Sequence, residues 1–321
     1  MTLPDTRPRA LVAQLPKPVR KPAEKALDHI QHGCFQRSMA LLVAGSSFVS
    51  TLEVGYEHYK GSYSNPVMYT PVTLGGLLTI ASAAGVFSKR VATTWMRWLS
   101  YTTLADGAIG FCFHIRGVAR KPGGWRMPVT NIVMGPPLFA PLLFGTSAYL
   151  GVIASYLQPE ENLDRFGGVR SSVVELTTRF HKQDFRDDIR IGRFQRHLCL
   201  VAALWTLCSG MESWYSHYKD NFKYKVQWSP ILLTPVMLAA TLGARRSERV
   251  ANTLLPLASA ILMLNGAVGF GYHFRGILAR SGGEKKPLYN ILYGPPIFAP
   301  LLFAACGLLG MLAYLMRRER E

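Results

Sequence analysis

The sequence is short of several things, and each shortage removes a class of function. Acidic residues are few, 19 Asp and Glu against 36 Lys and Arg, for a formal charge of +17. Such a balance would suit nucleic acid, but the basic residues fall between apolar blocks rather than in one patch with interleaved aromatics. No nucleic-acid partner is expected. There are five cysteines, Cys34, Cys112, Cys199, Cys208 and Cys306, with no C-x-x-C spacing. Neither a zinc site nor a disulfide frame is signalled, and they read as small packing residues. A nucleophile elbow, an HExxH pair, a Walker sequence and a dinucleotide fingerprint are all missing. The first 34 residues are basic and hold five prolines, with no apolar core of the length a secretory signal needs. They read as a soluble leader on the cytoplasmic side.

What the chain has instead is apolar blocks of membrane-crossing length, and it has them twice. GFCFHIRG at Gly110–Gly117 returns as GFGYHFRG at Gly269–Gly276, an offset of 159 residues. The same offset, without a gap, lays Glu53 on Glu212, Tyr56 on Tyr215, His58 on His217, Asn131 on Asn290, and GPPLFAPLLF from Gly135 on GPPIFAPLLF from Gly294. The chain is one unit written twice. Apolar stretches near 39–56, 71–88, 95–113 and 136–157, repeated near 198–215, 230–244, 251–272 and 295–316, each approach the ~20 residues needed to cross the hydrocarbon core. The expected fold is therefore an all-α integral membrane protein with eight transmembrane helices in two tandem four-helix repeats. Repeat one covers 35–157 and repeat two 194–316. A basic leader (1–34), an amphipathic linker on the cytoplasmic surface (158–193) and a basic tail (317–321) complete the domain plan.

Two thirds of the 36 Lys and Arg lie on the side that holds both termini, which predicts cytoplasmic termini. Four spans per repeat is an even number, so the repeats are parallel, related by an axis along the membrane normal. The expected location is a membrane of the bacterial inner type. Two parallel four-helix units are similar in plan to the multi-span quinone-reactive anchor subunits of respiratory complexes.

On this layout the first span ends outside at His58, the third ends outside at His114, and the fourth begins outside at Pro136-Pro137. Three chemistries suit such a cluster. Four-helix units hold b-type haem between histidines of facing helices, which makes His58 with His114, and His217 with His273, axial pairs; Arg116 and Arg275 would meet the propionates. A quinone or quinol pocket would use the same histidines together with Glu53, Tyr56, Glu212 and Tyr215 to move protons and bind ring oxygens. A metal site of two histidines and a carboxylate is disfavoured, because His58 is rotated by roughly 140° from Glu53 on one helix, whereas Tyr56 shares the face of Glu53.

Three further features carry expectations. Asp106, matched by Asn265, lies about two turns inward and should be neutral, hydrogen-bonded or part of a proton path in copy one. Pro136 and Pro137 suit a helix start, and Pro141 and Pro300 should kink the helix that follows. Gly123-Gly124 and Gly282-Gly283 read as turns. Together these features predict a membrane subunit of an electron-transfer complex, with haem b or quinone near the outer face and a redox partner docked on the basic outer loops around Arg116, Arg120 and Arg126 and around Arg275, Arg280 and Lys286. The competing expectation is a transporter built from parallel repeats, which would gather its polar groups near the midplane, or a structural membrane protein without a cofactor.

Overall fold

In a medium without water each backbone N–H must find its partner within its own segment, so apolar blocks of this length form helices. The computed structural model describes residues 7–166, 189 and 191–317, and among them every regular element is helical. The leader forms α1 (Pro8–Ala13) and α2 (Lys17–Gln31). The first half then runs α3 (Gln36–Lys60), α4 (Thr70–Phe87), α5 (Lys89–Thr93), α6 (Trp95–Ala119), α7 (Pro128–Val133) and α8 (Ala140–Tyr156). After α9 (Glu161–Phe166) come α10 (Arg193–Lys219), α11 (Ser229–Ala244), α12 (Glu248–Asn252), α13 (Leu254–Leu278), α14 (Pro287–Tyr293) and α15 (Leu301–Leu315). Helix bounds recur at the sequence offset: α6 and α13 match residue for residue, as do α5 and α12.

Five helical stretches are long and apolar enough to cross a membrane: Gln36–Lys60, Pro66–Phe87, Ala140–Leu163, Lys225–Ala244 and Leu254–Leu278. The other three expected spans fall short for visible reasons. α6 carries Arg97, Asp106 and Arg116, α10 carries charged residues at both ends, and α15 is apolar but only 15 residues long.

Within each half the long helices form a ring. α3 packs on α4 and α8, and α6 packs on the same two, so α3 and α6 stand diagonally opposite. The second half repeats this with α10 and α13 opposite across α11 and α15. The tightest seams are α6 on α8 and α13 on α15, and glycine makes them possible. A Cβ on Gly107 would lie 2.7 Å from the Pro141 carbonyl oxygen, and one on Gly266 2.6 Å from Ala304 N and 2.8 Å from Pro300 O. Backbone meets backbone there, the usual solution where lipid supplies no hydrophobic drive between helices. The halves meet where α8 packs on α10 and α15, where α7 packs on α10, and where α14 packs on α3.

Several expected boundaries shift. α3 and α6 run past 56 and 113, so His58 and His114 lie inside helices, with α6 continuing through Arg116 to Ala119. Pro136 and Pro137 are outside α8, in an irregular turn; Pro141 sits in the helix's first turn and Pro300 caps α15. These prolines start their helices rather than kink them, because the first turn has no intrahelical partner for the N–H that proline lacks. The leader is packed rather than free: Leu27 and His29 are buried, Gln31 Nε2 donates to the Arg317 carbonyl (3.1 Å) and Arg9 pairs with Asp28 (2.8 Å). Cys112 is exposed, unlike the other four cysteines. Of the expected amphipathic linker, 167–188 and residue 190 lie outside the described residues, as do residues 318–321 of the tail.

Candidate cofactor site at the distal end of each half

Call distal the end of the bundle away from the chain termini. His58 lies in the last turn of α3. The chain then reverses through Ser62 and Tyr63, both left-handed (φ 56° and 45°), which places Met68 beside the imidazole: His58 Nδ1 is 2.7 Å from the Met68 carbonyl oxygen. α10 ends the same way. Asn221 and Phe222 take φ 51° and 48°, and His217 Nδ1 is 3.1 Å from the Gln227 carbonyl and 3.3 Å from Ser213 Oγ. Two consecutive left-handed non-glycine residues are costly, and their recurrence at one site marks a turn held by its surroundings. One helical element over, His114 Nδ1 is 2.5 Å from the Pro137 carbonyl and His273 Nδ1 is 2.5 Å from the Pro296 carbonyl.

A carbonyl oxygen can only accept, so all four Nδ1 atoms carry the hydrogen and each neutral ring keeps its lone pair on Nε2. This is the orientation that metal-ligating histidines adopt, with the far nitrogen tied to a carbonyl and the near one free to bind. His58 and His114 are close enough to interact electrostatically, as are His217 and His273. Each pair therefore stands on diagonally opposite helices of its own bundle.

Aromatic rings wall these positions in both halves. Tyr63 stands edge-on to His58 (6.1 Å between centroids) and stacks on Tyr69 (4.3 Å); Phe222 stands edge-on to His217 (6.4 Å) and stacks on Trp228 (4.1 Å). Phe111 stacks on Phe139 and Phe270 on Phe298, at 5.9 and 6.0 Å. Sequence reasoning missed the Tyr63–Tyr69 and Phe222–Trp228 walls. Their signal was available, since both positions are aromatic in both copies, but the identities change between copies and hide it.

Glu53, Tyr56, Glu212 and Tyr215 go elsewhere. Tyr56 donates to Glu53 Oε1 (3.0 Å), as the shared helix face predicts, but the pair then faces the other half: the backbone of Phe298 and Ala299 lies beside Glu53, and that of Ile297 beside Tyr56. Reciprocally, Leu138 N–H donates to Tyr215 Oη (2.8 Å) and Phe139 N–H to Glu212 Oε2 (2.8 Å). These backbone stretches precede α8 and α15, where a helix has donors without intrahelical partners and its dipole favours negative charge. Glu212 thus caps the fourth long helix of the opposite half, and the Glu53–Tyr56 pair meets the start of the other.

Arg116 and Arg275 are exposed in the last turns of α6 and α13, and among the described residues neither side chain makes a hydrogen bond or ion pair. Asp106 Oδ1 is 2.6 Å from Thr70 Oγ1, which lies 2.9 Å from the Val67 carbonyl; in copy two Asn265 donates to Ser229 (2.7 Å), which donates to the Val226 carbonyl (2.8 Å). The glycine pairs are turns with φ of 80° and 48° at Gly123-Gly124 and 88° and 45° at Gly282-Gly283, held by Asn131 and Asn290. Among the described residues no three His, Cys, Asp or Glu side chains converge to hold a metal ion. Protein-family models, curated proteins and solved structures were all compared with this chain, and none of them matches it.

Proposed function

We propose that this chain is the membrane subunit of an electron-transfer complex, with one b-type haem held by His58 and His114 and a second by His217 and His273. The observation that carries the reading is the set of four imidazoles, each tied through Nδ1 to a backbone carbonyl and paired with a partner from the diagonally opposite helix. Two nitrogen ligands and no carboxylate suit an iron whose other four ligands come from a macrocycle. Stacked aromatics beside each pair suit a flat ring. Bound haem supplies one-electron transfer. The chain's own contribution is to present Nε2, to hold the imidazole planes by the Met68, Gln227, Pro137 and Pro296 carbonyls, and to offer Arg116 and Arg275 at the rim for propionates. A quinone would use the same histidines but would also want the carboxylates and phenols, which are engaged across the halves; this favours haem. A transporter would need those groups free near the midplane, and their capping role argues against it.

The same proposal includes eight spans in two parallel repeats. α6 and α10, at 25 and 27 residues, are long enough to cross, and α15 is extended by its Gly294–Pro300 turn, which is packed against α3 and α13 rather than facing lipid. Charge distribution supports cytoplasmic termini in a bacterial inner membrane, with the distal end outside, where the basic loops would dock an acidic redox partner. The test is the visible spectrum of the purified protein, oxidised and dithionite-reduced. A Soret band and reduced α-band are expected, each losing about half its intensity in His114→Ala and in His273→Ala. A colourless, folded preparation that takes up no added haemin overturns the reading.

A further inference from the structure

The turn before each fourth long helix is bonded on both sides, and the two sides belong to different halves. One peptide group carries both bonds. The Pro137 carbonyl accepts from His114 Nδ1 (2.5 Å), and the N–H of the same peptide unit, that of Leu138, donates to Tyr215 Oη (2.8 Å). The direction of every bond in this string is forced. His114 must donate because a carbonyl only accepts, Leu138 N–H can only donate, and Tyr215, having accepted, keeps one hydrogen to offer, with Glu212 beside it as the acceptor. Phe139 N–H, one residue on, reaches the same carboxylate at 2.8 Å. The second half repeats the arrangement: His273 is bonded to the Pro296 carbonyl, the Ile297 backbone lies beside Tyr56, and Tyr56 donates to Glu53 Oε1 at 3.0 Å.

We infer that Glu212 with Tyr215 are positioning residues for His114, and Glu53 with Tyr56 for His273, so that each half sets the imidazole of the other. A peptide unit is planar and rigid, so a pull on its N–H rotates its carbonyl as well. Hydrogen bonds aligned head to tail also polarise one another, and here the string ends on a carboxylate, which draws the Nδ1 proton of the distant histidine outward and makes its Nε2 the better donor of a lone pair. The deduction deepens the proposed histidine site by naming what tunes it, while the hydrogen-bond string itself does not depend on which cofactor, if any, the site takes.

The discriminating experiment is therefore run without cofactor. Full-length protein carrying ¹⁵N-labelled histidine is placed in lipid bilayers, and the Nδ1 signals of His58, His114, His217 and His273 are assigned with single His→Gln variants. Tyr215→Phe should abolish the single hydrogen-bonded Nδ1–H state of His114 and give a mixture of tautomers, while His217, two residues away on the same helix, stays put. Tyr56→Phe should do the same to His273 and spare His58. Glu212→Gln, which keeps an acceptor for Tyr215 but removes the charge, should move His114 in the same sense by less. A response confined to the histidine of the mutated helix, no response, or a loss of all four signals together overturns the crossed assignment. A haem spectrum that fails to appear leaves this outcome unaffected, and the reverse holds too.

Discussion

Comparison of the two halves at the same distal positions separates what the fold demands from what each half does with it. Some features agree in bond and distance: both His–Pro carbonyl bonds are 2.5 Å, both histidine-bearing turns are left-handed twice over, and both Glu–Tyr pairs cross to the other half. Others keep the geometry and change the chemistry. Asp106–Thr70 becomes Asn265–Ser229, and Tyr63–Tyr69 becomes Phe222–Trp228. The lesson is that the histidines and crossing carboxylates, which meet backbone carbonyls and N–H groups, are the same in both halves. Their partner does not change with sequence, so those side chains have not drifted. The side-chain contacts Asp106–Thr70 and Tyr63–Tyr69 have each changed both members.

That distinction can be broken by experiment, beginning with the seam where backbone meets backbone. Gly266→Ala should cost about 3 kcal/mol and Gly107→Ala about 2, because the first added methyl would meet three atoms under 3.0 Å and the second only one. Thermal unfolding in detergent measures the pair, and equal losses would mean that the two seams relax differently from their static spacing.

Next come the crossing carboxylates. Glu212 accepts from the Phe139 N–H at 2.8 Å, whereas the recorded bond of Glu53 is the one from Tyr56 at 3.0 Å, so Glu212→Ala should destabilise by about 2 kcal/mol and Glu53→Ala by about 1, the difference being the backbone donor left unpaired. The reverse order, in the same unfolding assay, would show that Glu212 does not cap the fourth helix of the opposite half as described.

The glycine turns give a smaller contrast of the same kind. Asn131 donates to the Pro122 and Gly124 carbonyls, at 3.0 and 2.8 Å, whereas Asn290 donates to Gly283 alone among the described residues, at 3.0 Å. Asn131→Ala should therefore lose about 2 kcal/mol and Asn290→Ala about 1, and limited proteolysis should cut first at 120–127 in the former variant. Cleavage at the same rate in both would remove the distinction.

The smallest effect is expected where the copies have already made the exchange. Asp106→Asn installs the second half's solution in the first and should change stability by no more than about 0.5 kcal/mol, since the amide can donate to Thr70 as Asn265 does to Ser229. If the proposed haem binding falls in this variant while unfolding is unchanged, Asp106 has a role that Asn265 has given up.

Much of this is legible in the sequence. The apolar block lengths led to membrane helices, and the offset of 159 residues paired each histidine, tyrosine and glutamate with its counterpart. Helix periodicity put Tyr56 on the face of Glu53 and turned His58 away from it, and the bond between the first two follows from that spacing. Proline and glycine placed the turns, although the prolines of the fourth helices were given a kinking role that their first-turn positions do not allow. The aromatic walls were overlooked because their pairing depends on a reversal through Ser62-Tyr63 and Asn221-Phe222, of which only Asn221 is a residue given to left-handed angles, so the two copies share no turn signal there.

The sequence by itself determined that this chain is helical, that it carries helices long and apolar enough to cross a membrane, and that its residues recur at an offset of 159, because hydrophobic length and periodicity are local properties. Only the tertiary structure decided which half each polar group serves. A helix's own period says which residues share a face but nothing about how that face is rotated against other helices, and it is this rotation that turns Glu53 and Glu212 away from their own histidines and onto the opposite half's Pro-Pro turn. Two identical lists of residues therefore make one crossed assembly, and the crossing is a consequence of packing that no spacing along the chain records.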